Sequence, residues 1–235
     1  MERHGTFSSS NIWKLMTNDK SGKSFGAPAI KYIRQVQHEL RLGRAINREI
    51  SSHPTSWGLL CEKRVHDILP LEYSLVSSER LFHPSIPFYS GAPDLKKEIT
   101  VADVKCPHSL EVFCDKLEAL NSPITYKSEF PEDYWQHLSN AILLEANGIK
   151  TTHFEAIIYC PYISELKEIR ELASNYDGAD QSKYAWINFA SDNELPYLIE
   201  GKHYKNLNVI RWEIFEPDKK ALTDRVIAAG KLLQK

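Results

Sequence analysis

Apolar and polar positions alternate between two periods along the chain, and the switch between them predicts its elements. Ser56 to Leu69 sets Trp57, Cys61, Val65 and Ile68 or Leu69 on one stripe, a buried-face helix that stops at Pro70. Ser10 to Met16 starts a short helix, and Pro28 to Leu42 forms another, with Ile30, Ile33, Val36, Gln37 and Leu40 at helical spacing. Further helices are expected over 109–120, over 131–148 with Pro-Glu-Asp in the first turn and Gly148 as the stop, over 164–174, and over 217–234. That last helix should dock on the core through Leu222, Val226, Ile227 and Leu232 or Leu233. Residues rich in Ile, Val, Phe and Tyr predict strands near 73–82, 85–93 and 99–105. The charged Leu95 to Glu98 is expected as the turn pairing the last two. The segment 153–160 is almost wholly apolar over Phe154 to Cys160 and predicts a central strand, whereas 206–215 alternates like an edge or late strand. Polar segments 17–27, 121–130 and 175–181 are expected as loops. The order predicts an α/β (α+β) fold, a central mixed sheet between helices in three layers, and one domain over 1–235.

Composition narrows this picture. At 235 residues and 42% hydrophobic content, the chain can bury a sizeable core. No apolar run approaches membrane-spanning length and the start lacks a signal-peptide core, so the expectation is a cytoplasmic protein without a membrane partner. Four cysteines at 61, 106, 114 and 160 show neither disulfide nor zinc nor iron–sulfur spacing and read as reduced core residues. A formal net charge of −2 argues against a protein that coats nucleic acid, but permits an enzyme with a local basic groove. Lys20, Lys23, Lys31, Arg34, Arg41, Arg44 and Arg48 are candidates for that groove, although such charges usually belong to a solvated face. Gly22-Lys23-Ser24 is not a phosphate-binding loop, because Thr17 stands where its first glycine should be.

Candidate chemistry concentrates at Gly91-Ala92-Pro93-Asp94 and Asp103-Val104-Lys105-Cys106-Pro107. In a strand, residues i and i+2 share a face, so Asp103 and Lys105 point together while Val104 turns to the core and leaves its backbone carbonyl free. Carboxylates clustered in one small site repel each other, and a divalent cation relieves both repulsion and burial cost. An all-oxygen set suits magnesium, with manganese as a substitute, and the scattered histidines argue against zinc. An exposed ion pair between Asp103 and Lys105 is the plain alternative. Glu62 sits beside the helix stripe where it can face a site at the core's edge, and Gln136 lies one turn before Asn140 on the 131–148 helix.

In this order the motifs resemble the PD-(D/E)XK nuclease superfamily, and within it the branch of bacteriophage lambda exonuclease and the YqaJ-like viral recombinases. Trp57-Gly58 followed by Glu62 matches the family's helical glutamate, and Ala92-Pro93-Asp94 its Ser/Ala-Pro-Asp. Asp103-Val104-Lys105-Cys106-Pro107 matches its Glu-x-Lys-Cys-Pro with Asp for Glu. Tyr134-Trp135-Gln136 lies where the family has a Tyr-and-Gln helix, although Leu138 replaces the usual second glutamine. Arg3-His4-Gly5-Thr6-Phe7-Ser8-Ser9-Ser10 is similar to its N-terminal Arg-x-Gly and Ser/Thr-rich segment.

The resemblance implies a restriction-endonuclease-like core and a magnesium-dependent deoxyribonuclease. Such an enzyme hydrolyses linear double-stranded DNA processively, 5′ to 3′, and supplies 3′ single strands to a single-strand annealing protein in recombination. By the same resemblance Glu62, Asp94, Asp103 and the Val104 carbonyl bind metal, Lys105 and Gln136 position the nucleophile, and Arg3 with Ser10 holds the DNA 5′-phosphate. It also implies a homotrimer in a bacterial host cell. The competing readings are an endonuclease of the restriction or junction-resolving type and a DNA-binding protein without catalysis.

Overall fold

The computed structural model describes residues 4–46, 52–76, 79–176 and 181–234. The chain opens with β1 (Phe7–Ser8) and a 3₁₀ helix (Ser9–Met16), followed by α1 (Ala27–Leu42) and α2 (His53–Ile68). Five short strands come next: β2 (Ser74–Leu75), β3 (Leu81–Phe82), β4 (Tyr89–Gly91), β5 (Leu95–Lys97) and β6 (Thr100–Lys105). The helices α3 (Leu110–Ala119), α4 (Pro123–Glu129) and α5 (Pro131–Ala146) then cross over to β7 (His153–Tyr159). The remainder is α6 (Leu166–Ser174), α7 (Ala185–Phe189), β8 (Leu207–Glu213) and α8 (Glu216–Leu233).

Strands β2-β5-β6-β7-β8 form a five-stranded mixed sheet in which only β6 and β7 run parallel. That parallel pair is what requires the long helical crossover, since parallel neighbours cannot be joined by a tight turn. Each face of the sheet carries its own core. On one side Val101, Phe154, Ala156 and Ile158 pack against Tyr134, Leu138, Ala141 and Ile142 of α5. On the other Ala102, Val104, Ile157 and Tyr159 meet Trp57, Leu60, Cys61 and Val65 of α2 and Ile169 of α6. Each fully buried aliphatic or phenyl side chain contributes roughly 1.5–3 kcal/mol. The expected mixed sheet between helical layers is therefore present, with β7 inside it and β8 at its edge.

Several expected boundaries differ. The 73–82 segment is split between two sheets: β2 pairs with β5, whereas β3 joins a small second sheet of order β1-β4-β3; residues 77 and 78 lie outside the described residues. Leu95 to Glu98 is not a turn between paired strands, because β5 itself pairs with β6 and the turn is Glu98-Ile99. Alternation over so short a charged run was too weak to mark β5 as a strand. The 121–130 loop contains α4, nucleated by Pro123 in its first turn and by the Ser122 hydroxyl accepting from the Ile124 N–H. On α1 the buried stripe is Ala29, Tyr32, Ile33, Val36 and Glu39, leaving Ile30 and Leu40 exposed. Glu39 is turned inward because its carboxylate accepts from the Gly5 N–H at 3.1 Å and the Gln35 amide at 3.0 Å. On α8 the buried residues are Leu222, Val226, Ala229 and Gly230, and Ile227 and Leu232 are exposed. Of the 175–181 loop, residues 177–180 lie outside the described residues. All four cysteines are free thiols, Cys61 and Cys160 buried and Cys106 and Cys114 half-buried. Among the described residues no helix is long and apolar enough to cross a membrane.

Candidate active site

The site forms where the end of β6 emerges between the α2 and α5 layers. Pleating sends Val104 into the α2-side core and Asp103 and Lys105 toward α5. The pair is not an exposed one: Asp103 is fully buried and the Lys105 side chain is 22% exposed, with Nζ 2.7 Å from Asp103 Oδ2. Gln136 closes a ring, its Oε1 accepting from Lys105 Nζ at 3.1 Å and its Nε2 donating to Asp103 Oδ1 at 2.9 Å. Asp94 approaches from the start of β5, where its Oδ2 accepts from the Val104 N–H at 3.4 Å. Glu62 comes from α2, which starts at the Ser52 cap and carries Trp57, Cys61 and Val65 into the core. Together with Val104 and Lys105 it lines a cleft of about 510 Å³ between α2 and the start of α3. Five sequence-predicted residues, Glu62, Asp94, Asp103, Lys105 and Gln136, with the Val104 backbone, thus converge on one place.

The electrostatics show like charges forced together. Burial, then the charges of Asp103 and Glu62, push the Asp94 carboxyl up to about 9. Burial and the Asp103 charge raise Glu62 to about 7. Asp103 is buried too, but the adjacent Lys105 ammonium outweighs that penalty and holds it below the ordinary carboxylate range. Burial works against the Lys105 ammonium, yet Asp103 and Asp133 raise its pKa and keep it charged. Among the described residues no three His, Cys, Asp or Glu side chains are gathered tightly enough to chelate an ion as they stand. The donor chemistry nevertheless fits a hard divalent cation. The candidate donors are oxygen throughout, three carboxyls compete for one buried region, and Asp103 Oδ2 accepts no well-directed hydrogen bond although Lys105 Nζ stands beside it.

Of the N-terminal pair, only Ser10 lies among the described residues. Ser10 is exposed on the 3₁₀ helix with its hydroxyl 3.4 Å from that of Ser8, and Arg3 lies outside the described residues. Of the candidate basic residues, Lys31 and Arg34 line a groove of about 620 Å³ with Lys14, Tyr32 and His38. Lys20, Lys23, Arg41 and Arg44 are exposed elsewhere, and Arg48 lies outside the described residues.

Sequence reasoning missed three residues. Asp133, its Oδ1 3.8 Å from Lys105 Nζ, sits three residues before Gln136 and so on the same helix face, a spacing that could have identified it. Lys116 pairs with the other oxygen of Asp133 from α3, and nothing in its local sequence announces this. His137 is fully buried, stacked on Phe154 at 5.0 Å between ring centroids, and lowered to about 4 by burial.

No protein-family model and no curated protein matches the chain in sequence. Solved structures do match it in shape. The alkaline exonuclease LHK-Exo of Laribacter hongkongensis in complex with dAMP is 15% identical with a TM-score of 0.62, over 99% of this chain and 89% of that one. A second crystal structure of LHK-Exo gives 14% identity and a TM-score of 0.62 over the same shares. A phage-related exonuclease from Haemophilus somnus gives 13% identity and a TM-score of 0.60, over 98% of this chain and 94% of that one. This chain has the fold of these exonucleases.

Proposed function

We propose that the protein is a metal-dependent exodeoxyribonuclease that hydrolyses one strand of linear double-stranded DNA, processively and from the 5′ end. One observation carries this reading: the closed ring of Asp103, Lys105 and Gln136, with Asp94 and Glu62 beside it, in a fold shared with exonucleases. Asp94, Asp103, Glu62 and the Val104 carbonyl would hold the ion, magnesium by the hardness of the set, with manganese as a substitute. A bound magnesium ion supplies Lewis acidity at the phosphate and makes water a competent nucleophile at neutral pH. Lys105 acts as a fixed positive charge. Its raised pKa makes it a hydrogen-bond donor to the attacking water or to a phosphoryl oxygen, not a proton acceptor. Gln136 donates to Asp103 and accepts from Lys105, so one amide sets the orientation of both.

The basic groove of Lys14, Lys31 and Arg34 would carry DNA phosphates, with Arg3 and Ser10 holding the terminal 5′-phosphate. The reading extends to one domain over 1–235, a homotrimer around the duplex, a single-strand annealing protein that receives the 3′ strand during recombination, and a cytoplasmic setting in a bacterial host. Replacing Lys105 with Ala tests the site. Cleavage of linear duplex in magnesium should fall by roughly three or more factors of ten while DNA binding is retained, and unchanged cleavage would contradict the assignment.

A further inference from the structure

We infer that Lys116 and Asp133 form a clamp that positions Lys105, an inference that rests on the nuclease reading of the site and adds two positioning residues to it. Four charges of alternating sign run from strand to helix to helix: Asp103 and Lys105 on β6, Asp133 on α5 and Lys116 on α3. Asp133 stands between the two lysines, its Oδ1 3.8 Å from Lys105 Nζ and its Oδ2 paired with Lys116 Nζ. Both clamp residues are buried, Asp133 at 6% and Lys116 at 7% exposure. Burying charged side chains is costly unless each is paired, so the pair is weak evidence for stability and better evidence for a defined geometry.

Other contacts hold the clamp in place. Asp133 lies in the first turn of α5, where the unpaired N–H groups favour an anion. The Lys116 ammonium lies 4.2 Å from the Phe130 ring centroid, which anchors it over the same helix start. Lys105 has three tethers: Asp103, Gln136 and Asp133. Substrate or ion arriving at Asp103 competes for the first. Gln136 and Asp133 then remain to aim the ammonium. By drawing Asp133 Oδ2 toward α3, Lys116 keeps Oδ1 short of direct contact with Lys105, so Asp133 steadies the lysine without capturing it. Without Lys116, Asp133 keeps its contact with the Tyr126 hydroxyl but loses the positive charge that draws it away from Lys105, so it closes on Lys105 and pulls it off line.

The test uses the intact chain on linear duplex DNA with magnesium, comparing wild type, Lys116→Met, Lys116→Arg and the double variant Asp133→Asn with Lys116→Met. The clamp predicts a kcat for Lys116→Met lower by on the order of tenfold to a hundredfold, as misplacement of a reacting group costs, with KM within about twofold. Lys116→Arg should recover most of the rate. The double variant, which leaves no buried charge unpaired, should fold and still turn over slowly. If Lys116→Met fails to fold, the double variant decides. Wild-type kcat in Lys116→Met or in the double variant, or a Met loss that Arg shares in full, would overturn the clamp while leaving the nuclease reading intact. A wild-type chain that cleaves no DNA in magnesium or manganese would overturn that reading, and the clamp with it.

Discussion

Asp94 and Glu62 show the strongest electrostatic demand for a cation, because burial first, and then the negative charge of neighbouring carboxylates, holds the proton on each. Their pKa values, about 9 and about 7, lie above the usual carboxylate range near 4. A carboxyl raised in the folded state contributes stability that is complete below its unfolded value and is lost as pH rises through the folded one. The metal-free protein should therefore lose stability between about pH 5 and 9 from these two groups. A divalent cation removes the repulsion, and by mass action stabilises the state it binds. The rise in melting temperature on adding magnesium is thus expected to grow steadily from pH 5.5 to pH 8.5, read by thermal denaturation with chelator as the reference. A magnesium shift that is absent, or flat across that range, would contradict the carboxyl cluster as the ion site. At this scale Glu62, Asp94, Asp103, Lys105 and Gln136 were legible because their motifs come in a recognisable order. Asp133 was legible in principle from helical spacing, whereas Lys116 was not, since α3 meets α5 only through the tertiary fold.

Elements matter here through how closely they let the site residues approach. β4 passes so near the 3₁₀ helix and α5 that a methyl group on Gly91 would overlap Ser9 Oγ and stand 2.6 Å from Leu143 Cδ1. The Ser9 hydroxyl cannot easily yield, since it accepts from Ser139 Oγ at 2.8 Å, and Ser139 in turn accepts from the Tyr89 hydroxyl at 2.9 Å. Gly91 is three residues before Asp94, so this packing also fixes where the Asp94 segment starts. Gly91→Ala should cost about 1–3 kcal/mol, a fall in melting temperature on the order of 5 °C for a chain of this size, measured by thermal denaturation. An unchanged melting temperature would show that β4 can shift freely. The long helices and β7 were legible because periodicity extends over many residues there. The fragments β2, β3 and β5 were not, because strands of two or three residues carry almost no pattern and owe their pairing to partners distant in sequence. Within 121–130 the Ser122-Pro123 pair is a helix-start signal for α4, but a helix of seven residues is too short for periodicity to mark it.

The whole molecule places two cores on either side of one sheet, and the candidate site residues meet at the strand end between them. Glu62 reaches that edge from one layer and Gln136 and Asp133 from the other, so the site exists only when both layers are docked. Three-layer architecture could be inferred from element order, but not which helix faces which side, since that depends on crossover geometry. The net charge of −2 is compatible with a local basic groove, such as the one lined by Lys14, Lys31 and Arg34, on a surface that is acidic overall. The proposed reaction is end-dependent cleavage of DNA at this edge with the help of a divalent ion. The most direct test is digestion of linear duplex carrying a 5′-phosphate on one strand and a 5′-hydroxyl on the other, beside a covalently closed circle, with magnesium or with chelator. The account predicts magnesium-dependent loss of the phosphorylated strand with the circle intact. Nicking of the circle would contradict it in favour of an endonuclease, and no cleavage with any divalent ion would contradict it in favour of a DNA-binding protein.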